Sequence, residues 1–302
     1  MESQINCAGA RIRRPVPAST LGTALLFIDY DAGCRQLEAA LEMAVAEAMP
    51  VAAANAMLNL GSGSGELMRL PAAERWLRES SAYACEHELD GSAHYSGARL
   101  SVCEVLTGHW DDAAARASDI LARSTATIAR VTALVTLGRL QARRGDPGAG
   151  EALDEALALA GPADTLQCIA PVRAARAEAA FARGDLVAAA TEARPALPLA
   201  LRHRHPWFIG ELAFWCWRAG ALDAAPAGCA EPYALQIAGH WREAAVAWQR
   251  LGCPYEEARA LADGDGDAQQ EALALFERLG AQPACAGSRA APAPRHASIR
   301  TA

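Results

Sequence analysis

Three stretches of the chain carry side chains at spacings that chemistry uses. Asp263-Gly264-Asp265-Gly266-Asp267 opens like a calcium-binding loop, with carboxylates at alternate positions able to converge on one hard cation. The sixth position would be Ala268 rather than glycine and the twelfth Ala274 rather than a bidentate glutamate, so the stretch reads as a polar turn. Gly61-Ser62-Gly63-Ser64-Gly65 has the small residues of a phosphate cradle, but no Lys-Ser/Thr follows it and no strand precedes it. It reads as a turn or a loosened helix end. His203 and His205, with Cys216 farther on, lack the closely spaced third and fourth ligands of a structural zinc and read as a solvated connector. No serine has the flanking glycines of a nucleophile elbow. The expectation is a chain with no catalytic residue, no metal and no cofactor, and hence no enzyme.

Binding is the chemistry that remains. Trp207, Phe208, Phe214, Trp215 and Trp217 crowd into one helical stretch. Successive helical residues turn by about 100°, so Trp215 and Trp217 lie on nearly opposite sides and one of them can face a groove while the other is core. Arg139, Arg143, Arg173 and Arg176 fall on two helices that each open a pair. They are candidates for a strip that binds an anion or a peptide, set against the plainer reading of ordinary solvated charges.

The elements that must position these residues recur. Tyr30, Leu70, Trp110, Pro147, Leu186 and Leu222 each follow a glycine or small polar step, at separations of 40, 40, 37, 39 and 36, and Trp241 comes 19 later. A period of about 20–50 residues marks a solenoid of helix pairs, in which each unit buries its apolar side only against its neighbours. Apolar side chains fill 52% of the chain and aromatics 6%, so the core must be built mainly from alanine and leucine, which suits closely packed helices. Five residues past each turn glycine lies another small residue, Ala113, Gly150, Ala189, Ala225 and Ala244, where two backbones would cross closely. Residues 1–20 read as a disordered basic tail, 21–282 as one helical-repeat domain with joints near 195–206 and 220–232, and 283–302 as a disordered Ala/Pro/Arg-rich tail.

Charge and cysteines narrow the partners. Twenty-eight basic against 35 acidic residues give a formal net charge of −7 with the signs interspersed, a poor match to the basic stripe that grips phosphate backbones, so direct nucleic-acid binding is not expected. The apolar run at Leu21–Ile28 is far short of the roughly 20 residues a spanning helix needs, so no membrane is expected either. Nine cysteines stand singly with no C-x-x-C, the pattern of reduced thiols, and the expected location is cytoplasmic.

Asn59-Leu60-Gly61, Leu137-Gly138, Gly108-x-Trp110-x-x-Ala113 and Gly239-x-Trp241-x-x-Ala244 resemble the small-residue positions of tetratricopeptide repeats, at a longer period than the family's 34 residues. A closer resemblance covers roughly Leu21 to Pro283. It rests on Ile28-Asp29-Tyr30, His205-Pro206-Trp207, Glu211-Leu212-Ala213-Phe214-Trp215, Glu231-Pro232-Tyr233-Ala234-Leu235-Gln236, Gly252-Cys253-Pro254-Tyr255-Glu256 and Leu275-Phe276-Glu277-Arg278-Leu279-Gly280-Ala281. These stretches are similar to the helical-repeat region of large LuxR-type transcription regulators, which place an AAA-type ATPase before the repeats and a helix-turn-helix domain after them. The resemblance implies an all-α, right-handed superhelix of tetratricopeptide-like pairs, an α-solenoid. It also implies a protein partner or small-molecule inducer on the concave surface. No G-x-x-x-x-G-K-[ST] occurs in the sequence, so ATP hydrolysis is not carried over, and the chain reads as a shortened regulator without its DNA-binding part. Exposed end repeats predict self-association.

Overall fold

The structure, a computed structural model, describes residues 14–161 and 165–282. Among the described residues it holds sixteen α-helices and no strand. The chain divides into two compact units, residues 1–105 with 111–136 and residues 106–110 with 137–302, each of the three boundaries falling within a helix.

The first unit contains α1 (Pro15–Leu26), α2 (Tyr30–Ala46), α3 (Pro50–Glu66), α4 (Leu70–Glu86), α5 (Asp90–Leu106, all but its last residue), most of α6 (Trp110–Arg123) and the first half of α7 (Thr127–Arg144). From α2 to α5 every helix has 17 residues, and α2 to α6 begin at 30, 50, 70, 90 and 110, one every 20 residues. The 40-residue spacing read from Tyr30, Leu70 and Trp110 is therefore two helices, and those three residues open the second helix of each pair.

What stops each helix on schedule is a left-handed residue. Ala48, Met68, Glu88 and Gly108 have φ of 52°, 58°, 56° and 86°. At the first three turns the N–H one residue further on donates back into the finishing helix, Met49 to the Ala44 carbonyl, Arg69 to Ser64 and Leu89 to Ala84, each at 2.8 Å. This is the helix end that glycine usually makes, and a side chain there costs roughly 1–2 kcal/mol. Prolines then reopen the chain at positions where no N–H is missed: Pro15 and Pro50 start α1 and α3, and Pro71 lies in the first turn of α4. Pro15 corrects the expectation of a tail to residue 20, because residues 15–20 belong to α1 and bury Ala18 and Ser19. Residues 1–13 and 283–302, with Cys7 and Cys285, lie outside the described residues, as does Pro162.

The second unit continues from α7 into α8 (Ala149–Ala160), α9 (Leu166–Ala182), α10 (Leu186–Ala193), α11 (Leu197–Arg202), α12 (Pro206–Arg218), α13 (Glu231–Ile237), α14 (Trp241–Arg250), α15 (Pro254–Leu261) and α16 (Gly266–Leu279). Consecutive helices contact one another in both units. The break between α10 and α11 falls at Arg194–Ala196, at the start of the expected joint near 195–206, where Pro195 and Pro198 cannot both sit in an unbroken helix, and an irregular link separates α12 from α13.

Close packing within pairs depends on glycine. A Cβ added at Gly22, Gly61 or Gly138 would stand 2.7, 2.6 or 2.5 Å from the Cγ of Leu37, Leu77 or Leu153, the leucine 15 or 16 residues on in the next helix. Gly63 is equally tight against Leu26 Cδ1, at 2.5 Å. The Gly61–Gly65 run is thus neither a turn nor a cradle: it lies inside α3 and lets the neighbouring leucines in. Of the small residues expected at close crossings, Ala113, Ala189 and Ala244 are fully buried. Gly150 is exposed with nothing near a Cβ placed on it, because α8 starts at Ala149 and turns Leu153 inward instead.

These contacts carry a prediction. Gly138→Ala should destabilise the second unit by about 1–3 kcal/mol through overpacking, and Leu153→Ala by about 2–5 kcal/mol through the cavity it leaves. The double variant should fall short of the sum, because the added methyl enters the space the leucine vacates. Urea unfolding measures all three. Gly150→Ala, a glycine of the same unit with open space around it, should instead be neutral or mildly stabilising.

Candidate functional site

The four predicted arginines do meet protein groups, all of them carboxylates. Arg139 and Arg143 are four residues apart on α7 and so share a face. Both reach Glu178 of α9, at 3.4 and 2.7 Å; Arg139 also reaches Glu211 of α12 at 2.6 Å, and Arg143 reaches Glu256 of α15 at 3.1 Å. Arg259, one turn beyond Glu256, pairs with it as well. Three guanidiniums and three carboxylates thus form one charge-balanced cluster, nearly all of it buried. Arg173 and Arg176 are drawn together elsewhere, on Glu192 of α10 at 2.6 and 2.9 Å, and Arg176 also pairs with Asp154.

Aromatic rings wall the cluster. The Arg143 guanidinium lies 3.8 Å from the Tyr255 ring centre, and that of Arg259 lies 4.1 Å from Phe214 and 5.1 Å from Trp215. Trp215 is buried against Phe181 and Phe214, whereas Trp217, on the other side of α12, is half-buried beside Phe214 and Arg218. The geometry makes Arg143 and Trp215 parts of the buried interior.

Electrostatics inside the cluster is uneven. Burial works against both charged forms, yet Arg143 and Arg139 overcome it at Glu178 and hold that carboxyl below the ordinary glutamate value of 4.5. At Glu211 burial wins: Arg139 only partly offsets it, the carboxylates of Glu178 and Glu256 add to it, and the carboxyl is raised. Glu178 therefore contributes stability above its unfolded value that is lost as pH falls through its lowered folded value. Glu211 does the opposite, its contribution being largest in acid and lost as pH rises through its raised folded value. Glu178→Gln is expected to cost most near neutral pH, and Glu211→Gln to compare best with wild type near neutral pH and worst in acid. Urea midpoints of both variants in neutral and acidic buffer check the opposite slopes.

The other candidates have local duties. Asp265 accepts from the Ala268 N–H at 3.1 Å and caps α16, while Asp263 pairs with Arg218 at 2.6 Å, so the Asp-Gly run is a helix start. His205 Nδ1 accepts from the Phe208 N–H at 3.3 Å and caps α12, His203 ends α11, and Cys216 is buried within α12. Among the described residues none of the seven cysteines forms a disulfide, no group of three metal-ligating side chains converges, and no helix is long and apolar enough to cross a membrane.

A concavity lies at the second unit's aromatic helices. The Ala230 N–H donates to the Pro206 carbonyl at 3.1 Å, which brings the start of α13 beside the start of α12. Together with the end of α14 they border an open hollow of about 310 Å³, lined by Pro206, Trp207, Pro232 and Leu251 and flanked by Glu231 and Arg250. Trp207 is held by two buried rings, Trp248 at 6.0 Å and Tyr233 at 6.5 Å. No family model and no curated protein matches the chain. In the sequence the hollow is marked by the aromatic stretch that Trp207 opens and by two Xaa-Pro-aromatic triplets, His205-Pro206-Trp207 and Glu231-Pro232-Tyr233, but not by the approach of α13 and α14.

Proposed function

We propose that this chain is a non-catalytic helical-repeat module that binds a ligand or protein partner and transmits that state within a LuxR-type transcription regulator. Its helix pairs would coil as a right-handed, tetratricopeptide-like superhelix. The supporting observation is the recurrence of one packing device, a first-helix glycine against a leucine 15 or 16 residues on, at Gly22, Gly61 and Gly138. Pairs built alike stack in a row, and a row adjusts to a bound partner by small rotations between neighbours. The module would act from the cytoplasm on other domains, by covalent continuity or by association.

Affinity capture of the tagged chain from a close relative's cytosol, with mass-spectrometric identification, tests the reading. Recovery of an ATPase or helix-turn-helix protein supports it; recovery of only a metabolite-modifying complex overturns it. A partner without any link to transcription favours the second reading, a stand-alone adaptor. Self-association belongs to the same proposal, supported by Val16 in α1, Ile28 in the turn after it and Val51 in α3, all of which stand exposed. Light scattering on eluting protein should show mass rising with concentration, and a constant monomer would remove this part.

A further inference from the structure

The geometry points to the hollow at Trp207 as a binding site for a small zwitterion with an apolar body, a free amino acid carrying an aliphatic or aromatic side chain. The inference deepens the recognition reading and rests on it only in treating the chain as a binding module. At about 310 Å³ the space is at the lower end of small-molecule pockets, which run from roughly 300 to 1,000 Å³. Its wall is largely apolar: two prolines, Leu251 and Trp207, whose ring packs against Trp248 and Tyr233. A preformed wall spares a ligand the cost of ordering it.

The polar groups select the ligand. Glu231 and Arg250 both border the hollow, both are exposed, and neither forms an ion pair with the other or with another described residue. In a chain whose interior arginines are consumed by carboxylates, one unpaired charge of each sign at one hollow is a complementary pair of sites. Arg250 can take a carboxylate through two parallel N–H donors, and Glu231 can take an ammonium. A purely anionic or purely cationic ligand would satisfy one and be repelled by the other.

Isothermal titration of the full chain with L-leucine, L-phenylalanine and L-tryptophan tests this, beside the methyl ester and the N-acetyl derivative of whichever binds. Saturable binding of a free amino acid is expected, weakened about tenfold or more when either charge is blocked. Arg250→Gln should abolish the preference over the ester, and Glu231→Gln the preference over the N-acetyl form. Both side chains are exposed, so each variant should keep the wild-type unfolding midpoint. No saturable heat at millimolar concentration, derivatives binding as tightly as the free amino acid, or variants that discriminate like wild type would each overturn the assignment. Failure here together with capture of an ATPase or helix-turn-helix partner removes the ligand and leaves the regulator reading; binding here with no such partner does the reverse.

Discussion

Arg143→Met is expected to destabilise the second unit by about 3–5 kcal/mol, the range for removing one partner from a buried ion pair. Methionine preserves most of the volume, so the loss comes from charge. Arg143 is 2% exposed and serves two carboxylates. Without it Glu178 keeps Arg139 and Glu256 keeps Arg259, but the cluster holds an uncompensated negative charge where water does not reach. The same reasoning makes Arg143→Met with Glu178→Met milder than the single change. It restores neutrality, with Arg139 left on Glu211 and Arg259 on Glu256. Urea unfolding of both variants measures this; a double variant as unstable as the sum of its parts would mean the arginine acts by packing. Arg173→Gln is the control: its pair with Glu192 is partly exposed, and a cost of about 1 kcal/mol or less is expected.

That cluster also marks where sequence reading stops. Helical spacing was enough to place Arg139 and Arg143 on one face, and their charge suggested an external anion. The groups that claim Arg143 stand 35 and 113 residues downstream, and no local pattern announces a carboxylate arriving from that distance. The repeat itself was half legible. Tyr30, Leu70 and Trp110 open helices as their spacing implies, but the intervening turns at Ala48 and Glu88 adopt a glycine backbone without glycine, and a search for glycine steps passes over them. Gly61 and Gly138 each lie against a leucine of the next helix. The composition of the Gly61–Gly65 run nevertheless suggested a break where the structure has a continuous helix, because neighbouring leucines hide the missing side chains. The tail was overextended for a related reason: Pro15 and Pro17 look like disorder in isolation and like a first helical turn once α1 is seen.

The other large effect is expected at Trp248, the ring beneath the hollow. It is 1% exposed, packs edge-on against Tyr233 with centres 4.9 Å apart, and donates its indole N–H to Gln236 Oε1 at 3.1 Å. Trp248→Ala removes a buried aromatic and should cost about 3–5 kcal/mol. Trp248→Phe keeps most of the packing but strands a buried amide, so about 1–3 kcal/mol is expected, most of it recovered by adding Gln236→Leu, which removes the acceptor too. The three unfolding curves separate ring volume from hydrogen bond: full cost in the phenylalanine variant would put the energy in the N–H, none in it would put all of it in the packing. Because Trp207 leans on this ring, a phenylalanine variant that remains folded should also hold the hollow's wall less firmly and weaken amino-acid binding while sparing the preference for both charges. Near-ultraviolet circular dichroism reports the ring's setting independently, and an unchanged spectrum with unchanged affinity would show that Trp207 is held by Tyr233 alone.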